Sequence, residues 1–591
     1  LDNFPRRGYI EASRFLRIHY YGEHGMNRKI QGFLFFCVVL GIAGCGKTSH
    51  GNSSDNQRPV VMAIEGDIDS FNPLFAEDIT AGEINDLLFP GLVGSSFDTS
   101  TGMLTYTPLL ARDWEFQNGH RDLVFHLNTG AHWSDGHPVT AHDVQASYQL
   151  YGDPEVGSVR QDAVQNLRVW QGKPDIARSV EATNDSTVIF HFAQASPSQL
   201  FDAGLPILPA HVFDTIPRKE LRTHPFNRTP IVSGPFLLKQ WTPLEGIVLA
   251  SNPTSLLPFP AKLPQVVFRV LPDYRTRVSQ LQSGEVDVVA GLRPEDASSL
   301  AGSNAPVRIV SSPGRDYDFL GWNNIDPVAY NASGGKTIKP HPLFGSARVR
   351  RALTMAIDRE QIVRAYLGKY GSVATGGISP IFRWAYNDTL KPLPFDPGRA
   401  SALLEEEGWR DTDGDGILDK GGRKFSFSLK IPAGNQMRIS VATVVQQQLR
   451  DIKIDMSIEQ VERGTFWDNL TARKYDACLA GFSVPLQLQL EDLWGSDLAK
   501  HPFNVTGFRN ARVDAILAAA RKCQNEIDSA PLWKEFQGII NDQQPCTMLF
   551  WIDAITGVNT RLAGTHIGIL GTTQQAWEWH LEPDNDAASA N

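Results

Sequence analysis

Apolar positions along this chain recur with a period of two in some stretches and near 3.6 in others, and the switches between the two outline its elements. Val60, Val61, Ala63 and Ile64 predict a strand leading into Asp69-Ser70-Phe71-Asn72-Pro73, where the Asn-Pro step ends it. Ile84, Leu87 and Leu88 sit at helical spacing, which predicts a helix over residues 79–92 stopped by Pro90-Gly91. Leu123, Phe125 and Leu127 alternate as in a half-buried strand, the turn Trp133-Ser134-Asp135-Gly136 follows, and Thr140 opens a helix. A similar strand recurs at Val188, Phe190 and Phe192. Residues 266–270 form a further strand, Asp273 caps a helix that carries Val278 and Leu281 and stops at Gly284, and residues 286–289 return to a strand. Strand, helix, strand in that order is the mark of an α/β layer.

The pattern breaks at Leu320-Gly321-Trp322-Asn323-Asn324, and a polar, glycine-containing span runs on to Pro342, which predicts a domain crossing there. Beyond it Val349, Ala352, Leu353 and Ala356 share one helical face. Asp358 with Gln361 forms a capping box for a second helix that ends near Gly368. Asp396-Pro397 opens another, with Ala400, Leu403 and Leu404 inward and Gly408 as its stop. Residues 441–449 and the alternating Ile452, Ile454, Met456 and Ile458 add one more helix and strand. The last apolar strand covers 548–552, well before a polar, weakly acidic tail at 581–591.

The amino end carries an address rather than a domain. Residues 26–44 open on Met26-Asn27-Arg28-Lys29 and continue into an apolar run over 30–42, too short to span a bilayer and suited to the core of a secretory signal. Ile42-Ala43-Gly44-Cys45 resembles the lipobox of bacterial lipoproteins, in which Cys45 becomes the lipidated first residue. Gly41, Gly46, Lys47 and Thr48 also fit the phosphate-loop pattern G-x-x-x-x-G-K-[ST], but such a loop must open a helix whose first-turn amides hold the phosphates. Residues 45–57 carry no apolar face and read as a flexible tether, which argues against a nucleotide site. Residues 1–25, which precede the signal, are read as an upstream extension of the reading frame.

Composition is that of an ordinary soluble globular protein, 42% hydrophobic and 20% charged over 591 residues. A net charge of -10 argues against a nucleic-acid partner, which would call for a basic face. With Cys37 lost in the signal and Cys45 lipidated, Cys478, Cys523 and Cys546 allow at most one disulfide, and no C-x-x-C spacing suggests zinc. No H-E-x-x-H or G-x-S-x-G motif and no evident Ser, His and Asp constellation points to an enzyme. No cofactor is called for. The one metal candidate is calcium at Asp411, Asp413 and Asp415 with Gly416, the opening of a calcium loop whose twelfth position is Gly422 and so lacks the closing bidentate carboxylate. Arg348, Arg350 and Arg351 crowd the first turn of a helix, where the dipole disfavours them, and are expected to find acidic partners.

Five stretches in order, LVFHLNTGAHWSDGHPVTAHDV (123–144), SGPFLLKQW (233–241), LQSGEVDVV (281–289), ARVRRALTMAIDREQI (347–362) and FDPGRASALLEEEGW (395–409), resemble the extracellular solute-binding proteins of the peptide and nickel type that feed ABC importers. The resemblance implies a type II, two-lobed periplasmic-binding-protein-like α/β fold with an extra subdomain in the first lobe. It gives lobe 1 as 58–322, lobe 2 as 323–546, and 547–591 as the return to lobe 1 with the tail. It also implies a monomer outside the cytoplasm, lipid-anchored to a membrane, that passes a peptide or other small organic solute to permease subunits. In peptide-binding relatives the segment matching 475–485 carries a pocket aromatic and, three residues later, an aspartate for the peptide's ammonium. Phe482 matches the aromatic and Pro485 stands at the aspartate position. The expected ligand residues are therefore Phe482, Ser483 and Trp494, with Glu491 or Asp492 supplying the charge from a shifted loop. The alternatives are an envelope lipoprotein of this fold that signals or binds protein, and a hydrolase.

Overall fold

The computed structural model describes residues 58–167, 169–170, 173–255 and 260–582. The expected extension, signal, lipid-bearing Cys45 and tether lie outside the described residues, as does the tail beyond 582. A sheet of eleven strands organises the chain. Val60–Ile64 pairs in parallel with Gln265–Val270 on one side and Val288–Ala290 on the other, and all five of its residues are buried, as a strand covered on both faces requires. Two long strands, Val307–Trp322 and Cys546–Asn559, lie side by side and antiparallel in the middle of the sheet. Ala477–Ser483, Ser426–Pro432 and Asp455–Val461 complete the far side.

The long pair links two bodies. Residues 307–312 pair with 559–554, the register shifts between Ser312 and Asp316, and residues 316–321 pair with 552–546. Gly314 sits in that shift, and a Cβ on it would meet the Ile552 carbonyl oxygen at 1.8 Å, so only glycine lets the two backbones cross so closely. On one side lies a core built from Val60, Phe71, Phe125, Phe190 and Phe268. It includes the inner face of a separate four-stranded sheet, Ala111–Gln117, Asp122–Leu127, Thr187–His191 and Val180–Asn184. On the other side lie two adjoining cores, one around Leu320, Trp322, Val349 and Leu429 and one around Tyr317, Phe482, Trp494 and Trp533. The fold is thus α/β with two lobes, the four-stranded sheet being the additional unit of the first.

Local signals fold as their chemistry dictates. Thr140 and Asp143 cap Ala141–Gly152, Asp273 accepts from the Thr276 N–H, Gly284 ends that helix in the left-handed region at φ 81°, and Pro397 takes the first position of Pro397–Glu406. Three expectations change. The helix Ile79–Leu88 stops short of Pro90 because the Leu88 carbonyl accepts from Gly234 N–H at 2.9 Å rather than from a further turn. Asp358 caps Arg359–Tyr366 through the Gln361 N–H, but the reciprocal bond to Asp358 N–H comes from Gln448 Oε1 at 3.1 Å. Arg348 and Arg351 do meet carboxylates, Glu406 and Asp542, whereas buried Arg350 donates to the carbonyls of Gln543 and Gln544 and of Phe344. Its guanidinium thereby closes the carboxyl end of the helix Glu526–Gln543, where the dipole favours a cation.

The carboxyl-terminal return is tied down by charge. Asp287, fully buried, accepts two bonds from Arg561 at 2.8 Å each, two from Arg58 at 2.8 and 2.9 Å, and one from Val61 N–H at 2.8 Å. Cys478 and Cys546 are free, buried and register-matched to opposite sides of Gly321. Two strand spacings, roughly 10 Å, separate them, beyond the reach of a disulfide.

Candidate functional site

Between the lobes lies a narrow, solvent-open cleft. The first lobe supplies Asn166 and residues 194–198. The second supplies Trp384, residues 487–489, Arg521, Glu526, Ser529 and Trp533. Each wall is held by its own lobe. Glu526 occupies the first turn of the eighteen-residue helix Glu526–Gln543, after the Asn525 cap, where a carboxylate is favoured by the dipole. Trp533, about two turns further on, is buried and donates to Ser529 Oγ at 3.0 Å, which fixes its ring. Across the cleft Asn166 Nδ2 donates to Asp202 Oδ2 at 2.8 Å and Ser198 Oγ to the same oxygen at 2.9 Å. Arg521 Nη2 reaches Asn166 Oδ1 at 3.4 Å, a polar contact from lobe to lobe.

The charges on and just behind the walls of this space are out of balance. Burial pushes the Asp202 carboxyl up to about 7, against the lowering effect of Asn166, Ser198 and Arg521. Half-buried Glu526 and Glu491 are also raised, in both cases mainly by loss of water. Tyr106 is raised by burial and then by Glu526 and Asp202, which brings the phenol into the field of both carboxylates. Against three acids stands one base, Arg521, whose Nε lies 3.7 Å from Glu491 Oε1. Such a site accepts a cation or a dense set of hydrogen-bond donors and rejects a second anion.

The lobes also touch at the cleft's edge. Trp384 N–H donates to the Thr101 carbonyl at 3.1 Å, and Phe97 meets Phe382 edge-on with centroids 6.3 Å apart. Gly102, at φ 76°, lies so close that a Cβ would come within 2.3 Å of Arg383 N and of the Ile381 carbonyl oxygen.

Phe482 and Trp494 are buried at 3% and 4% exposure. Together they line a smaller crevice with Tyr317, Phe319 and Phe503, inside the second lobe. Ser483 Oγ bonds Asp316 at the strand crossing. Asp492 is exposed and paired with His501 at 3.1 Å, while Glu491 reaches the cleft's chemistry through Arg521. After Pro485 the chain does enter the cleft, with Gln487, Leu488 and Gln489 on its wall. Sequence reasoning missed Asp202, Glu526, Arg521, Trp384 and Trp533. The available signal was an aspartate among Phe201, Ala203 and Leu205, and a glutamate directly after an Asn cap. Asp411, Asp413 and Asp415 bring oxygens within 4.8 Å of one another, but Lys424 Nζ bonds Asp413 and lies 2.8 Å from Asp415, and Lys453 Nζ is 3.0 Å from Asp411.

Two lobes joined by a crossing strand pair, with a polar cleft walled by both, are the architecture of a solute receptor. Residues 105–489 match the model of the bacterial extracellular solute-binding proteins, family 5 (middle region). The chain belongs to that family of solute receptors for ABC importers. It is 28% identical over 546 residues to the oligopeptide-binding protein AppA of Bacillus subtilis, spanning 89% of this chain and 94% of that one. The structure of Bacillus subtilis AppA in complex with a nonapeptide superposes with a TM-score of 0.69 at 26% identity, over 89% of this chain and 99% of that chain. NikZ of Campylobacter jejuni in complex with Ni(L-His) shares the fold, with a TM-score of 0.70 at 23% identity over 88% and 99% of the two chains.

Proposed function

We propose that the protein is a lipid-anchored receptor on the outer side of a bacterial membrane, that its ligand is a short peptide or other small organic solute bearing an amino group, and that it delivers this ligand to an ABC importer. The observation that carries the reading is Glu526, a carboxylate on the cleft wall, with the buried Asp202 of the other lobe close behind Asn166 and Ser198 on the facing wall and one base, Arg521, beside them. The likeness to AppA supports a peptide.

The work is conformational. Contacts from Asn166 and Ser198 on one wall and from Glu526, Trp384 and Trp533 on the other exist together only when the lobes are close, so the ligand adds its binding energy to the closed state alone. In this reading Glu526 holds the ammonium, Asp202 adds its charge from behind Asn166 and Ser198, Glu491 is kept in place by Arg521, and the amides of Gln487 and Gln489 stand in for the aspartate replaced by Pro485. Phe482, Ser483 and Trp494 form the support behind that wall. The lobe limits at 322 and 546, the monomeric state and lipidation at Cys45 belong to the same proposal. Capture and release need no bond made or broken. Mass spectrometry of the solute that copurifies, followed by calorimetry with that solute and its N-acetylated form, tests it. Tight binding of the free amine and loss on acetylation are expected, and equal affinity for the two forms overturns the assignment of the carboxylates.

A further inference from the structure

We propose that the first lobe carries a site for a late first-row divalent metal ion, such as zinc, built from Asp135, His137 and His211. None of the three lines the interlobe cleft.

The geometry comes from two rigid supports. Trp133, 1% exposed, anchors the tight turn on which Asp135 and His137 stand. That turn is closed by Gly136 N–H on the Trp133 carbonyl at 2.9 Å and by Trp133 N–H on the His137 carbonyl at 2.8 Å, with Gly136 at φ 92°. His211 arrives on the short helix Ala210–Phe213, which is pinned where Ala210 N–H donates to the buried Asp143 at 2.7 Å. These supports aim three ligand atoms at one point. Asp135 Oδ2 lies 2.8 Å from His211 Nε2 and Oδ1 lies 3.2 Å from His137 Nδ1, with all three ligand atoms within 4.8 Å of one another. The two imidazoles stack, centroids 4.2 Å apart and planes 22° apart, and one nitrogen of each lies against the same carboxylate.

Two imidazoles and one carboxylate form a borderline-soft set, which suits zinc, cobalt, nickel or copper and not calcium or magnesium. Metal binding would displace the protons that the two inner nitrogens share with Asp135, leaving a three-ligand site whose remaining positions are open to water or to a chelating molecule. The side chains are 28%, 60% and 27% exposed, so an ion reaches them without opening the fold. The contrast with Asp411, Asp413 and Asp415 is instructive, because there Lys424 and Lys453 already supply the positive charge. Among the described residues Asp135 forms ion pairs with the two imidazoles and with no lysine or arginine.

The experiment uses the full chain without a histidine tag, stripped with chelator, and titrates zinc by calorimetry and cobalt by its visible absorption. One equivalent should bind to the wild type, with nitrogen-ligated cobalt bands. His137→Gln and Asp135→Asn should each weaken binding by about tenfold or more, and H137Q/H211Q should abolish it. His142→Gln, which alters the neighbouring pair with Asp214 at 2.9 Å, should leave binding unchanged. His137 is exposed enough that its single variant keeps the fold, so a failure of the double variant to fold leaves a readable result. Zinc binding unaffected by His137→Gln and Asp135→Asn, or absent from the wild type at micromolar concentration, overturns the proposal.

Discussion

Asp287 and Asp202 are both buried aspartates, and the protein treats them in opposite ways. Asp287 is met by two guanidiniums and a backbone N–H, which hold its carboxyl below the ordinary range in spite of burial. Asp202 is met by an amide and a hydroxyl, and burial wins. The first is a tie that staples the return strand to the start of the chain. The second is a charge left unmatched beside a cleft, with Glu526 in the same condition across it. Buried carboxylates that are fully matched stabilise the fold, and those that are not are held ready for something that arrives from outside.

The largest effect that could break this comparison belongs to the tie. Asp287→Ala should cost about 3–5 kcal/mol of stability, because it leaves Arg561 and Arg58 facing each other without their carboxylate. The midpoint of urea unfolding checks it. Because the folded state lowers this carboxyl, its contribution is present above the unfolded value near 4 and is lost as pH falls through the lower folded value, so the variant and wild type should converge in acid. A shift of ligand affinity with unchanged stability would reverse the roles assigned to the two aspartates.

Next come the unmatched acids. Glu526→Gln should weaken an amino-group ligand by roughly tenfold to a hundredfold, the worth of a charged hydrogen bond of about 1.5–3 kcal/mol, while the fold is untouched or slightly more stable. Asp202→Asn should do the same and also flatten the pH dependence. In the wild type, affinity for a cationic ligand should rise as pH passes through about 7, because ionisation of Asp202 is completed there. Stability runs the other way. A raised carboxyl costs the fold nothing below the unfolded value near 4 and progressively more up to about 7, so Asp202→Asn should gain on the wild type across that window. Calorimetric titration and thermal melts at matched pH separate the two trends.

A smaller effect tests whether the cleft must shut. Gly102→Val adds a side chain where Arg383 N and the Ile381 carbonyl leave no room, and at a positive φ that costs about 1–2 kcal/mol in itself. The hairpin of Val93–Asp98 and Met103–Pro108, at whose turn Gly102 lies, should keep its place in the first lobe and the lobes should stay apart. Scattering should then show a radius that no longer contracts with ligand, with affinity reduced several-fold.

What could be read from the sequence was whatever is decided within a few residues. The caps at Asp273 and Asp396, the Gly284 stop and the alternating strands need only their neighbours, and they fold as the pattern dictates. The two-lobed α/β architecture was legible because five such local units occur in a recognisable order. Asp358 marks the limit, since half of its cap comes from Gln448, in a helix ninety positions away. Arg350 is another case, because its partners are carbonyls at a helix end that no charge pattern reveals. The long strand Val307–Trp322 was missed because its buried second half, 317–322, shows no alternation and its bulge at 313–315 reads as a turn. Cleft residues come from five separate segments, so only the fold brings Asn166, Arg521 and Glu526 together, with Asp202 behind them.

The smallest expected effect concerns a third kind of carboxylate, on the surface. Asp411, Asp413 and Asp415 have the spacing of a calcium loop, yet Lys453 holds Asp411 and Lys424 holds Asp413 below the ordinary carboxylate range, and the Lys424 ammonium lies 2.8 Å from Asp415. Calcium would have to displace Lys424 and would still lack a bidentate ligand at Gly422. Calorimetry at millimolar calcium should give no binding heat for the wild type and at most weak binding for Lys424→Ala, with the melting temperature of both unchanged. Tight binding by the wild type would mean that an internal ammonium does not count as a match. The distinction between the tied Asp287 and the waiting Asp202 rests on that same rule, so it would fail with it.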